Sequence, residues 1–290
     1  MTGRAEAISH GAATIINAIA TGKGAAVGVD LWTKAVVALT DEAGHVEVTI
    51  RSDSSENPAL AQKTVERILK HFGLEKEFGA KVETTSNIPV ARGLKSSSAA
   101  ANAIALATTA AIEHSLDDVT VVNLSVDGAL DAKVTITGAF DDACASYFGG
   151  IVITDNMERT IIKRFEPTEA LAVLFYVPTK KTYTVGSDVK RMKGIASAVK
   201  IAYNEAMKAN YWAALTLNGL IYSSALGYDS SPAIDALKAG AVASGLSGTG
   251  PAVSAIVPKD KIDAVKNVWQ KCKGEILEAR INLQKARVVC

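Results

Sequence analysis

Apolar positions recur along this chain at two spacings, and the changes from one to the other predict its elements. Over 25–40, AAVGVDLWTKAVVALT, apolar residues largely alternate, the period of a strand. HVEVTIRSD (45–53) puts Val46, Val48 and Ile50 on one face of a second strand. NPALAQKTVERILKHFG then shifts to helical spacing. Leu60, Val65, Ile68 and Leu69 form its stripe, Asn57 caps it, Pro58 suits its first position and Gly73 ends it. A strand over 80–88 leads to a Gly-Ser turn and an Ala-rich helix reaching about Glu113, with another helix over 118–131. KVTITGAFDDACASYFGG reads as strand, turn and helix, and Gly149-Gly150 opens a hairpin whose second arm is 159–165.

The unbroken apolar run LAVLFYVP (171–178) predicts a buried central strand. Two helical stretches over 187–226, a short capped helix (231–240), a strand (252–258), a helix (260–272) and a last strand over LEARINLQKARVV complete the chain. This is an α+β pattern with no internal repeat. It divides into halves at 1–160 and 161–290, with a cleft expected between them.

Composition narrows the function classes. The 290 residues are 48% hydrophobic and 21% charged, a globular balance. A net charge of +1 offers no basic excess for a nucleic-acid backbone, so a small-molecule substrate is expected rather than DNA, RNA or a membrane. Cys144, Cys272 and Cys290 are widely spaced and odd in number, which points to neither a disulfide framework nor a zinc site. The amino-terminal segment lacks the long apolar core of a signal peptide, and the longest apolar-leaning run, 99–112, is too short to cross a bilayer. A cytoplasmic protein is the expectation.

The segment NIPVARGLKSSSAAANAIALATTAAI (87–112) carries the strongest chemical signal. Its serines could simply cap a helix. Three of them crowd the start, however, where one cap suffices, and Pro89 and Gly93 shape a loop between strand and helix. Small residues follow, so the helix can pack closely on a sheet. Free amides and the positive end of the helix dipole then face whatever precedes Ser96, and phosphate fits there. The segment is not a Walker loop, because the chain's one Gly-Lys, Gly22-Lys23, is followed by Gly24.

PVARGLKSSSAA resembles the second motif of the GHMP kinases, with Lys95 in place of a motif glycine and Ser98 in place of an alanine. TIINAIATGKGAAVGVDLWTK, TGAFDDACASYFGG and SGLSGTGPAVSAI resemble further segments of that family in order and spacing. Within the family the set is most similar to the archaeal-type shikimate kinases. The resemblance implies a two-domain GHMP fold with the nucleotide and acceptor in the cleft, ATP and Mg²⁺ as cofactors, and phosphorylation of the 3-hydroxyl of shikimate. Other GHMP acceptors (homoserine, mevalonate, a sugar) and a non-catalytic ligand-binding protein of this fold are the alternatives.

The resemblance also implies residue roles. Pro89, Val90, Ala91, Arg92, Gly93, Leu94, Lys95, Ser96, Ser97 and Ser98 would hold the ATP phosphates, and Gly248 and Gly250, with Gly245 and Thr249, would form the opposite wall. Ser97 falls on the family serine that reaches Mg²⁺. Asp131, eleven residues before Asp142, matches a second metal carboxylate, with an exposed aspartate at a helix end as the alternative. Asp142, seven before Gly149, matches the acidic residue that orients or deprotonates the acceptor hydroxyl and is read here as the base, leaving Asp141 as a substrate or structural contact. Lys95 either touches phosphate or faces solvent. A family lysine near the first motif has no counterpart; an ungapped match puts His10 there, and a lone histidine near a terminus reads as polar surface. Arg92, Lys181, Lys190 and Arg191 are the candidates for holding the carboxylate of shikimate.

Overall fold

The structure is a computed structural model describing residues 3–53, 55–90, 92–179 and 188–289. Its first sheet is organised by one long hairpin, β1 (Arg4–Ile16) and β2 (Lys23–Thr40). β2 serves two partners. Its second half, Thr33–Thr40, pairs with β4 (Gly79–Ser86), and its first, Lys23–Val27, with β5 (Ile151–Asp155). β3 (Val46–Ile50) runs parallel to β4, and β6 (Thr160–Phe165) closes the predicted hairpin with β5. β7 (Leu171–Pro178), β8 (Ala243–Leu246), β9 (Val253–Pro258) and β10 (Gly274–Arg280) form a second, antiparallel sheet in the order β10-β7-β9-β8. The last predicted strand is therefore two: after β10 the chain crosses back, and β11 (Arg287–Val288) pairs with β1.

Four helices cover the first sheet: α1 (Ala59–His71), α2 (Ser96–Ala111), α3 (Asp118–Asp131) and α4 (Phe140–Phe148). Alanines 99, 101, 103, 105, 107 and 111 of α2 are all buried, so this helix lies close against β1 and β2. Asn57 Oδ1 accepts from the amide of Ala59 at 2.8 Å, and Gly73 takes φ 72°, so both ends of α1 carry the predicted signals.

The region predicted as two helices contains three: α5 (Val189–Gly194), α6 (Ala196–Met207) and α7 (Tyr211–Leu226), the last two separated where Ala209 turns left-handed at φ 69°. α8 (Ser231–Lys238) and α9 (Ile262–Trp269) enclose a small core under the second sheet, where the indole of Trp269 donates to Pro232 O at 2.8 Å. The larger second core joins the halves directly, packing Ile15, Val27 and Ile153 of the first sheet with Val173 and Phe175 of the second.

One predicted strand is not there. Residues 133–138 alternate in sequence, but Lys133 (φ 55°), Gly138 (φ 85°) and Ala139 (φ 50°) take left-handed backbone that a ladder cannot accommodate. The segment instead lines the cleft. Among the described residues no helix is long and apolar enough to cross a membrane.

Candidate active site

The start of α2 carries no side-chain cap. Gly93 (φ 87°) and Lys95 (φ 64°) turn the chain into the helix, and the earliest backbone bond into it runs from the amide of Ala99 to Lys95 O. The amides of Ser96, Ser97 and Ser98 thus stay available at the positive end of a 16-residue helix. Gly93 is obligatory for sterics as well as φ, since a Cβ there would lie 2.4 Å from Ser247 O. Ser247 stitches three elements together: its hydroxyl donates to Gly93 O at 2.8 Å and accepts from the amide of Thr14 on β1 at 3.4 Å. The amide of Ala252 donates to Arg92 O at 3.1 Å, so the turn before α2 and the glycine-rich turn after β8 form one unit.

Opposite lies the first turn of α4. Asp141 and Asp142 are both buried, at 3% and 9% exposure, where a helix start favours negative charge. Asn102 of α2 fixes the distance between the two helices by donating to Ala143 O at 2.9 Å, and its own carbonyl accepts from Ser125 of α3 at 2.7 Å. Lys95 reaches across. Its Nζ lies 3.0 Å from Asp142 Oδ2, both side chains being nearly buried. Asp142 Oδ1 has no partner.

Asp141 is held separately. Asn156 Nδ2 donates to its Oδ1 at 2.8 Å, and Thr154 donates to the carbonyl of Asn156 at 2.7 Å. Gly24 makes the space: a Cβ there would come within 2.2 Å of Asp141 Oδ2. Burial first, and then the charge of Asp142, push the Asp141 carboxyl up to about 7, against the opposing pull of Asn156 and Lys95. The folded value lies above the unfolded one, so stability from this group is complete below about pH 4 and is lost as pH rises through about 7. Unfolding by denaturant should therefore show Asp141→Asn gaining stability over wild type between about pH 5 and pH 8. An equal difference at both pH values would contradict the assignment.

One cleft of about 560 Å³ is walled by Ser96–Ser98, Lys95, Asp141 and Asp142, by Thr14 of β1, and by Gly248 and Thr249. Val90 lines the cleft, whereas Leu94 is buried in the core between the sheets. Pro89 and Arg92 line a second cavity of about 430 Å³, and the Arg92 guanidinium donates to Pro178 O. Gly250 (φ 81°) packs on Tyr228 and Leu246, and Gly245 abuts Gly219 of α7, so both shape the turn from behind the wall. Asp131 is turned to the Arg67 guanidinium (Nη2 to Oδ1 2.7 Å) and does not line the cleft.

His10 is buried rather than surface. Burial, then Arg287, hold its imidazole below the usual range, and it lines neither cavity. Lys190 and Arg191 stand exposed on α5, outside both cavities. Ala91 and Lys181 lie outside the described residues. Among the described residues the cations lining the cleft are Lys95 and Lys133. Sequence reasoning missed Thr14, Asn156 and Lys133; only the neighbouring TGKG turn signalled the close approach at Gly24.

A family model described as GHMP kinases N terminal domain matches residues 59–150, and one described as GHMP kinases C terminal matches 204–275. A protein of Methanosarcina mazei named shikimate kinase is 44% identical over 97% of this chain and 96% of its own length. One of the same name from Methanosarcina acetivorans is 44% identical over 99% of this chain and 97% of its own. The crystal structure of homoserine kinase from Cytophaga hutchinsonii superposes with a TM-score of 0.76, covering 100% of this chain and 98% of that one; at 17% identity this is likeness of fold alone. With both domain models matched in order, and relatives this similar over nearly the whole length, the chain belongs to the GHMP kinases.

Proposed function

We propose that this protein transfers the γ-phosphoryl group of ATP to the 3-hydroxyl of shikimate. The observation that carries the reaction type is the pairing, in one cleft, of an uncapped helix start with a buried carboxylate whose second oxygen is unpartnered. The acceptor is supported by the name that the Methanosarcina relatives share. In this reading residues 1–160 form the nucleotide-binding half. Residues 161–290 form the other, lending β11 back to the first sheet.

Phosphoryl transfer asks a protein for positioning and charge neutralisation rather than covalent chemistry. The amides of Ser96, Ser97 and Ser98 hold the phosphates at the start of α2. Asp142 Oδ1 accepts the hydrogen of the acceptor hydroxyl as that oxygen bonds to the γ-phosphorus and the bond to the bridging oxygen of ADP breaks. Lys95, 3.0 Å from Asp142 Oδ2, balances the charge of that carboxylate and offers its remaining N–H bonds to the transferred group, where negative charge is spread over three oxygens. Asp141, tied back by Asn156, contacts the acceptor beside it.

For Mg²⁺ the fit is that of a metal carried in by phosphate. No cluster of three or more His, Cys, Asp or Glu side chains among the described residues forms a metal cage, and Mg²⁺ characteristically keeps waters and takes one or two protein ligands beside substrate phosphates. Ser97, at the helix start and lining the cleft, is the residue to hold it; Asp131, paired with Arg67, has no part. When bound, the ion neutralises charge on the β- and γ-phosphates.

The test is ADP release from Mg-ATP with shikimate, homoserine, mevalonate and galactose offered in turn. Turnover with shikimate and none of the others is expected. Turnover with a different acceptor would reassign the substrate, and ATP binding with no turnover on any of the four would favour a ligand-binding protein of this fold.

A further inference from the structure

Five buried side-chain polar atoms among the described residues lack a hydrogen-bond partner: His10 Nδ1, Thr14 Oγ1, Asn123 Oδ1, Asp142 Oδ1 and Asn218 Nδ2. Of these, only Thr14 and Asp142 belong to residues that line the cleft. They also converge. A Cβ built on Gly248 would lie 2.6 Å from Lys95 Nζ and 3.8 Å from Thr14 Oγ1, and the same Lys95 Nζ is 3.0 Å from Asp142 Oδ2. The Lys95 ammonium thus has the Asp142 carboxylate at 3.0 Å and Gly248 between it and the Thr14 hydroxyl, and Thr14 and Asp142 each carry an unused polar atom.

The position of Thr14 is not loose. It sits in β1 opposite Ala26 of β2, with 1% of its surface exposed, and its amide is engaged by Ser247. A valine would fill the same volume, suit a strand equally and bury no unpaired hydroxyl. Thr14 lines the ligand cleft and keeps there a buried hydroxyl that costs stability in the free protein, which points to a partner supplied by the ligand.

We propose that Thr14 is a substrate-contacting residue that sets the orientation of the reacting hydroxyl, an assignment that rests on the kinase reading above. Its hydroxyl donates to the acceptor oxygen that attacks phosphorus. That oxygen's own hydrogen is then left to Asp142 Oδ1, the acceptor still unpaired beside it. Thr14 keeps its hydrogen throughout: the acceptor's proton ends on Asp142, the new bond is oxygen to γ-phosphorus, and the bond lost is γ-phosphorus to the bridging oxygen of ADP. Thr14 thereby directs the lone pair of the acceptor toward the phosphoryl group instead of letting the hydroxyl rotate between two carboxylates.

The test compares Thr14→Val and Thr14→Ser in the full chain, with Mg-ATP and shikimate. Thr14→Val is expected to lower kcat/KM for shikimate by about tenfold to a hundredfold while the KM for ATP stays within about twofold. Its melting temperature should equal or exceed that of wild type, because an unpaired buried hydroxyl has been removed. Thr14→Ser should recover activity to within about threefold. Wild-type activity in Thr14→Val would overturn the assignment, and so would a Thr14→Ser as impaired as Thr14→Val, since the methyl group and not the hydroxyl would then matter. Wild-type protein that does not turn over shikimate at all would instead overturn the kinase reading, and this assignment with it.

Discussion

Asp142→Asn is expected to lower kcat for shikimate phosphorylation by about 10²–10⁴-fold, the range that a positioned general base supplies. The substitution keeps the side chain's shape and removes both the proton acceptor at Oδ1 and the negative charge beside Lys95 Nζ, 3.0 Å away. Lys95→Met leaves the opposite defect, a carboxylate without its cation. Both partners are nearly buried, so each single change strands a charge or a donor in a poorly solvated place and should cost about 3–5 kcal/mol of stability. The double variant strands neither and should cost clearly less than the two losses added. Denaturant unfolding of the four proteins, with kcat for each, measures both claims. Additive stability losses, or an Asp142→Asn enzyme near wild-type rate, would contradict the pair.

Gly248→Ala is expected to cripple turnover without replacing any group that does chemistry. The new methyl would lie 2.6 Å from Lys95 Nζ, and the residue sits at φ 64°, where a side chain adds about 1–2 kcal/mol of backbone strain. The flexible end of Lys95 would yield first, moving the ammonium away from both Asp142 and the phosphates. Displacements of about 1 Å at a reacting centre cost on the order of 10²-fold, and that is the expected loss in kcat. Activity and melting temperature read the two parts separately. A variant with lowered stability and unchanged kcat would mean that the position of Lys95 does not matter to the reaction.

The parts of the site that lie together in sequence were legible there. The turn at Gly93, the crowded serines and the helix that follows all appear as read, with Ser96 opening α2. The adjacent Asp141 and Asp142 open α4 in the cleft. Contacts between distant segments were not legible. Lys95 stood out as a departure from the family motif, but nothing local indicates that its left-handed backbone aims the ammonium at Asp142. Asp131 shows the converse: its spacing from Asp142 fits a metal ligand, and its side chain is turned to Arg67, because spacing does not encode side-chain direction.

The same distinction explains the elements. β1 is not legible as a strand in the sequence because from Ser9 onward it is buried on both faces, which erases the alternation that marks one. Residues 133–138 alternate yet form no strand, since three left-handed residues in and beside the segment rule out a ladder. His10 reads as surface from its place near a terminus, but the return of the chain to pair β11 with β1 buries that region.

The central claim, that this cleft moves a phosphoryl group from ATP to one hydroxyl of shikimate, is tested most directly by the product. Purified protein incubated with Mg-ATP and shikimate should yield a phosphomonoester whose phosphorus couples, in a ³¹P–¹H correlation spectrum, to the proton on carbon 3. A phosphomonoester at another hydroxyl would contradict the proposed orientation, and ATP converted to ADP and inorganic phosphate with shikimate unchanged would contradict the transfer itself.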